Sequence, residues 1–454
     1  MRLIFSDISK LRAKAVLHFA QLVLIAAVFA SCELPSYADE NKYSIVNSAA
    51  ELRAISNPKC VVDLRMNHAG LKDEDLTCLK KFSNLKFLGL SGNPITDAGL
   101  TALKGMVHLE GLELSNTKIT GSGLNELSAL EKLSNLSLSH TPFKSEHAKL
   151  LCSFNNLKFL TIRHTKCDDR AIKAISALRR LEILDATATE ITDESSEYLS
   201  QLQTLKTLDL HNTKLTFIAA HELAKLKSLE YLTVPIEKNA DKWLKELKTL
   251  SNLTLLSLNQ SDVTQEGLIN IAQLKKLKIL DLRHTHVSDL KPLATMPNLE
   301  SLIAYKTDVT DAGVAPLAVS VSLKALVLTY SPVTGLCFKD FVDHHTHLVD
   351  LIAGPDLSAQ GFYYLSRIST LEKLSIGGDT LNDQTLLEFK NMRKLRDLTI
   401  SSPKITDKSV ELFSSMHGLK RLYLGKTGIS IESLMSLRRL LPNCLISDMR
   451  FVKF

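Results

Sequence analysis

A chain of 454 residues that is 45% hydrophobic holds enough apolar mass for a large core, and on length alone it divides into two or three domains unless it is a repeat array, which grows without adding domains. Its formal charge of +6, from 55 basic and 49 acidic side chains, is too mild for a nucleic-acid-binding protein, which needs a concentrated basic face. Seven cysteines, at positions 32, 60, 78, 152, 167, 337 and 444, include no CxxC pair, which argues against a metal finger or a dense disulfide framework and leaves Cys60 and Cys78 as the one pair to test.

The N-terminus reads as an export signal. Arg2, Lys10, Arg12 and Lys14 precede an apolar run from Ala15 to Ala30, which is shorter than the roughly 20 residues a membrane-spanning helix needs. Ser36-Tyr37-Ala38 fits a peptidase site that cuts before Asp39, Phe29-Ala30-Ser31-Cys32 resembles a lipoprotein box with lipidation at Cys32, and an uncleaved anchor is the third reading. All three place the body outside the cytoplasm, in the cell envelope or beyond it. Residues 1–38 carry four basic and two acidic side chains, so without them the charge falls from +6 to +4. Residues 39–59 then read as an N-terminal cap, an extended lead-in followed by a short amphipathic helix.

From residue 60 to 435 the chain repeats itself. One core position recurs at Leu90, Leu114, Leu138, Ile162, Ala186, Leu210, Val234, Leu258 and Leu282, each 24 residues after the last. The steps to Ala304, Leu328, Ala353 and Ile376 are 22, 24, 25 and 23 residues, and Ile400 and Leu424 resume the 24-residue step. With a degenerate unit around Leu64 and a closing strand near Leu445, about 17 strands are expected, and residues 436–454 form a C-terminal cap. Within a unit, Leu85, Leu88 and Leu90 point inward at strand spacing, while Ile95, Leu100 and Leu103 close the core from the other side. Asp97, and Asp169, Asp193, Asp241, Asp289, Asp311, Asp383 and Asp407 in the same slot, are expected to cap the helical segments. Asn93, Thr117, Thr141, Thr165, Thr189, Thr213, Thr285, Thr307 and Thr427 share a slot in which the side chain satisfies turn backbone groups.

The L-x-x-L-x-L spacing and the phrase T-x-I-T-D-x-G-L resemble leucine-rich repeats of the cysteine-containing class with Thr in the Cys or Asn slot, as in secreted bacterial repeat proteins built on TDAGL units. The 22-residue unit VSDLKPLATMPNLESL is similar to an internalin repeat. The resemblance implies an α/β solenoid, a horseshoe with a parallel sheet on the concave side and short helices on the convex side. It also implies a binding scaffold rather than an enzyme.

Three outward slots per strand are expected to line the concave face: between the core residues, one after them and two after them. Arg163-His164-Thr165 and Arg283-His284-Thr285 are then the same slots met twice. His140 and His164 fall on adjacent rungs, but the next rung is Ala188 and the nearest further ligand, His211, lies about 10 Å away, so they read as surface polar residues. Asp185 and Asp209 are adjacent carboxylates at a spacing a retaining glycosidase would use, yet an open sheet offers nothing to raise one pKa, and Arg163 should lower that of Asp185. His344, His345 and His347 sit at a helix end and read as solvent-exposed.

The rungs that stand out carry Arg283, His284, Ile303, Tyr305, Lys306, Val327, Tyr330 and Ile352, apolar and aromatic side chains edged by cations where other rungs hold small polar residues. These are the expected ligand site, with Arg163, His164, Asp185, Asp209 and His211 as a secondary patch. The expected partner is a protein, peptide or glycan, bound by a monomer without metal or cofactor and without nucleic acid, and the membrane is met only through a lipid at Cys32 or an anchor. The alternative is an intracellular adaptor of the F-box ubiquitin-ligase type, which the export-like N-terminus argues against; a hydrolase is the third.

Overall fold

The computed structural model describes residues 43–235, 238–344 and 346–448; Cys32, the site after Ala38, Ile236 and His345 lie outside them. Eighteen short strands divide between two compact units of nine strands each. The first unit holds residues 43–235 and 246–253, with β1 Tyr43–Ile45, β2 Asp63–Arg65, β3 Phe87–Gly89, β4 Gly111–Glu113, β5 Asn135–Ser137, β6 Phe159–Thr161, β7 Ile183–Asp185, β8 Thr207–Asp209 and β9 Tyr231–Thr233. The second holds residues 238–245 and 254–448, with β10 Leu255–Ser257, β11 Ile279–Asp281, β12 Ser301–Ile303, β13 Ala325–Val327, β14 Asp350–Ile352, β15 Lys373–Gly377, β16 Asp397–Ser401, β17 Arg421–Gly425 and β18 Leu445–Asp448. Within each unit every strand runs parallel to its neighbours in chain order, so each sheet is a single-file ladder.

Leucine alternation sets the register. Leu64, Leu88, Leu112, Leu136, Leu160, Leu184, Leu208 and Leu232 stand side by side across the first unit. The irregular steps of the second unit do not disturb it: Leu280 pairs with Leu302, Leu326 with Leu351 and Leu351 with Leu374. The changes of length are taken up outside the strands, in a 3-10 turn at Lys291–Leu293 containing Pro292 and in the helix Phe338–Asp343. Leu85, Leu88, Leu90, Ile95, Leu100 and Leu103 are all at most 1% exposed. Burying each such side chain contributes about 1.5–3 kcal/mol relative to leaving it in water.

The aspartates of the TDAGL phrase do something other than cap. Thr96 is the cap: its backbone is extended and its hydroxyl accepts from the amide of Ala98. Asp97, at the first helical position, reaches forward to the next repeat, accepting from the amide and hydroxyl of Thr120 at 2.9 and 2.6 Å and from the amides of Gly121 and Gly123 at 3.0 and 2.9 Å. The same clasp joins Asp169 to Thr192, Asp193 to Thr216, Asp241 to Thr264, Asp311 to Thr334 and Asp383 to Thr406. Asp407 takes the amide of Ser430. Asp289, in the 22-residue unit, accepts locally from the Lys291 amide. The expected caps are therefore mostly inter-repeat acceptors, because the threonine one residue earlier already occupies the capping geometry.

The threonine slot behaves as expected in part. Thr117, Thr141, Thr165 and Thr285 donate to the carbonyl three residues earlier at 2.6, 2.6, 2.5 and 2.7 Å, whereas Asn93 donates to Leu90 and Met66 and also accepts from the Leu71 amide, so it alone of these reaches the preceding repeat. Beside it runs an unforeseen ladder. Gly92, Asn116, His140, His164, Ala188, Asn212, Gln260, His284, Lys306 and Tyr330 all have positive φ, between 53° and 72°. The slot two after the core residues is thus a left-handed turn beyond the strand, not part of the sheet face.

Candidate functional site

On the open sheet face of the first unit, β3 to β7 enclose a groove of about 430 Å³. Its shape follows from side-chain size. Gly89, Ser91, Gly111, Ser115, Ser137 and Ser139 leave a low floor, while Phe87, Phe159 and Ile183 stand along the side where the strands begin. Phe87 lies down over its neighbour: a Cβ at Gly111 would come within 2.6 Å of the Phe87 ring. The floor hydroxyls pair across rungs, Ser115 with Ser137 at 2.5 Å and Ser139 with Thr161 at 2.6 Å.

Charges sit at the two ends. Arg65 donates twice to Asp63, at 3.0 and 3.1 Å, and lies 3.6 Å from Glu113, which also accepts from Asn67. At the far end Arg163 is exposed, and among the described residues no hydrogen bond or ion pair holds its guanidinium. Asp185, beside Asp209 in the register, accepts from the Thr187 amide at 3.0 Å. Burial and then the charge of Asp209 push the Asp185 carboxyl above its ordinary range, outweighing the Thr187 bonds and Arg163. The expectation that Arg163 decides this pKa is corrected: the half-buried site and the second carboxylate dominate.

His140 and His164 stack, ring centroids 4.3 Å apart and 17° from parallel, with burial first and then the neighbouring His164 and Arg163 lowering the His140 pKa. Among the described residues no three His, Cys, Asp or Glu side chains gather where they could hold a metal ion. Of the secondary patch, Arg163 and Asp185 line the groove; His164, Asp209 and His211 do not.

In the second unit the sequence-favoured rungs converge, but inward. Ile303, Tyr305, Val327 and Ile352 form one buried cluster, 0, 5, 5 and 4% exposed, with Tyr330 packed against it. Tyr305 meets His284 and Tyr330 edge to face, centroids 5.3 and 5.5 Å apart. Arg283 is held by the fully buried Asp281 through Nε at 2.9 Å and Nη2 at 2.7 Å. Lys306 is exposed in its left-handed turn. Elsewhere, His344 bonds the Asp340 carbonyl at its helix end and His347 is exposed. Cys60, Cys78 and the other described cysteines are free thiols, and no described helix is long and apolar enough to cross a membrane.

Residues 83–143 and 179–235 match the leucine rich repeat family. The chain is built of leucine-rich repeats. Its fold is also that of solved leucine-rich-repeat structures. A leucine-rich-repeat protein of Leptospira interrogans is 22% identical over 89% of this chain and 99% of its own, with a TM-score of 0.55. Mouse RP105, solved with MD-1, is 19% identical over 86% and 74%, TM-score 0.56, and TLR13, solved with ssRNA13, is 20% identical over 84% and 68%, TM-score 0.53. No curated protein shows significant sequence similarity. At these identities the likeness is one of fold.

Within the leucine-rich repeats, the groove is the feature that reading for aromatic and charged clusters passes over. Its signal is the reverse, a run of glycine and serine at outward slots on three consecutive rungs from Gly89 to Ser139. Such a run marks where the sheet surface is lowest.

Proposed function

We propose that this protein is a non-enzymatic binding scaffold, exported by its N-terminal segment, that recognises a protein, peptide or glycan on the open face of its repeat sheet. The observation that carries the reading is the groove of about 430 Å³ between β3 and β7, concave, mostly apolar at its walls and set with a few polar groups, which is the make-up of a recognition site. Solved structures of this fold hold partners as different as an RNA and a protein, which supports a binding role without choosing a ligand. The second-unit rungs are a second place to look, because the chain of rings His284, Tyr305 and Tyr330 gives rigid aromatic contact area beside Lys306.

The test is an unbiased array of peptides, glycans and envelope proteins probed with the chain from Asp39 onward. Binding that survives in wild type and is lost on Ser115→Arg, which fills the floor, locates the site in the groove; loss confined to Tyr330→Ala moves it to the second unit. Indifference to both substitutions sinks the reading.

A further inference from the structure

We infer that the groove takes a neutral oligosaccharide, one pyranose ring of which stacks on Phe87; this rests on the binding-scaffold reading and names its ligand class. The first argument is the attitude of Phe87. Its ring lies against the backbone of Gly111, where a Cβ would sit 2.6 Å from it, so the half-buried side chain turns a face, not an edge, to the groove. An aromatic face is the negative side of the ring quadrupole, and it attracts the C–H groups that cover one side of a pyranose. A β-carbon at position 111 would lift the ring off the sheet and destroy the platform.

The second argument is the floor. Ser115 with Ser137 and Ser139 with Thr161 form hydroxyl pairs at 2.5 and 2.6 Å. Each pair uses one hydrogen internally and keeps one donor hydrogen and further lone pairs, which suits a ligand whose own hydroxyls both donate and accept. The third argument is charge. Arg65 is neutralised by Asp63 and Glu113, and Arg163 stands beside Asp185, so the walls hold no surplus of cations to release the counterions of a polyanion. A nucleobase would stack as well as a sugar, but its phosphates would meet carboxylates at both ends.

The test uses the chain from Asp39 onward, calorimetry, and four defined probe sets: cellohexaose, laminarihexaose, maltohexaose and chitohexaose as neutral sugars; a tryptophan-containing neutral peptide; polyuridylate; and heparin fragments. Phe87→Trp adds an emission reporter at the platform, since the one native tryptophan, Trp243, is fully buried. The expected result is saturable binding of at least one hexasaccharide, weakened about tenfold by Phe87→Ala, weakened less by Ser137→Ala, retained by Phe87→Trp, and accompanied by a shift of the new emission. An unchanged melting curve for Phe87→Trp keeps the outcome separate from misfolding. Absence of binding by all four sugars overturns the inference, as does preference for polyuridylate or heparin. If the peptide alone binds, and Phe87→Ala abolishes it while Ser137→Ala does nothing, the sugar is wrong and the scaffold stands; if no ligand from any screen responds to groove substitutions, both fall.

Discussion

Ala188 carries a φ of 53° in a slot where Gly92, Asn116 and Asn212 show which residues that turn prefers. A β-carbon in the left-handed region costs about 1–2 kcal/mol, and glycine returns part of that gain through a freer unfolded chain. Ala188→Gly is therefore expected to stabilise the first unit by about 0.5–1 kcal/mol, read as a higher urea midpoint at unchanged slope. Asp185 yields a second sign test. Burial and Asp209 raise its folded pKa, so the folded state favours the protonated form, and ionisation costs stability as pH rises from the unfolded value of about 4 through the folded one. Asp185→Asn keeps the oxygen that accepts from the Thr187 amide and removes the charge. It should stabilise by up to about 1 kcal/mol at pH 7, with the difference fading near pH 3, where wild type is protonated too. A gain that is the same at both pH values would rule out the carboxylate repulsion.

The packing of one repeat on the next is set by the glycine of the TDAGL phrase as much as by the leucines. At Gly313 a Cβ would stand 2.0 Å from the carbonyl oxygen of Ser288, and this glycine has ordinary negative φ, so contact alone forbids a side chain. Helix propensity argues that Gly313→Ala should gain about 1 kcal/mol; overpacking against backbone that cannot rotate away costs about 1–3 kcal/mol or more. The clash should win, giving net destabilisation in denaturant melts, while a gain would show that the repeats can separate without loss. This scale also shows how far the sequence could be read. Strand positions and their register were legible because alternating leucines bury one face, and a one-residue slip would expose all of them. The clasp was not, because Thr96 and Asp97 can each cap a helix, and nothing local reveals that the carboxylate reaches Thr120, 23 residues on. The strand end was placed too late by one slot, although Gly92 and Asn116 in register were a sign of the left-handed turn. The groove escaped notice because small side chains make it by leaving space.

Over the whole chain the clasps add up, since the stability of a repeat array is close to a sum of unit and nearest-neighbour terms. Burial pushes the carboxyls of Asp97, Asp311 and Asp383 upward, but the amides and hydroxyls of Thr120, Thr334, Thr406 and their neighbours outweigh it and hold all three below the ordinary range. Asp407 is lowered first by the Ser430 amide. A depressed folded pKa means the charged form is favoured by folding, so this stabilisation is present above the unfolded value of about 4 and is lost as pH falls through the folded values. Because both units carry clasps, acid should weaken repeat interfaces throughout the array in one pH interval below about 4 rather than fray one end. The comparison that decides this is wild type against the fourfold variant Asp97→Asn, Asp311→Asn, Asp383→Asn and Asp407→Asn, with urea midpoints followed from pH 6 to pH 2. The variant should start lower at pH 6, since an amide binds Thr hydroxyls and backbone amides more weakly than a carboxylate does, and should then change less with pH than wild type. Parallel pH profiles for the two proteins would mean that other carboxylates govern acid unfolding and that the clasps act only as neutral hydrogen bonds.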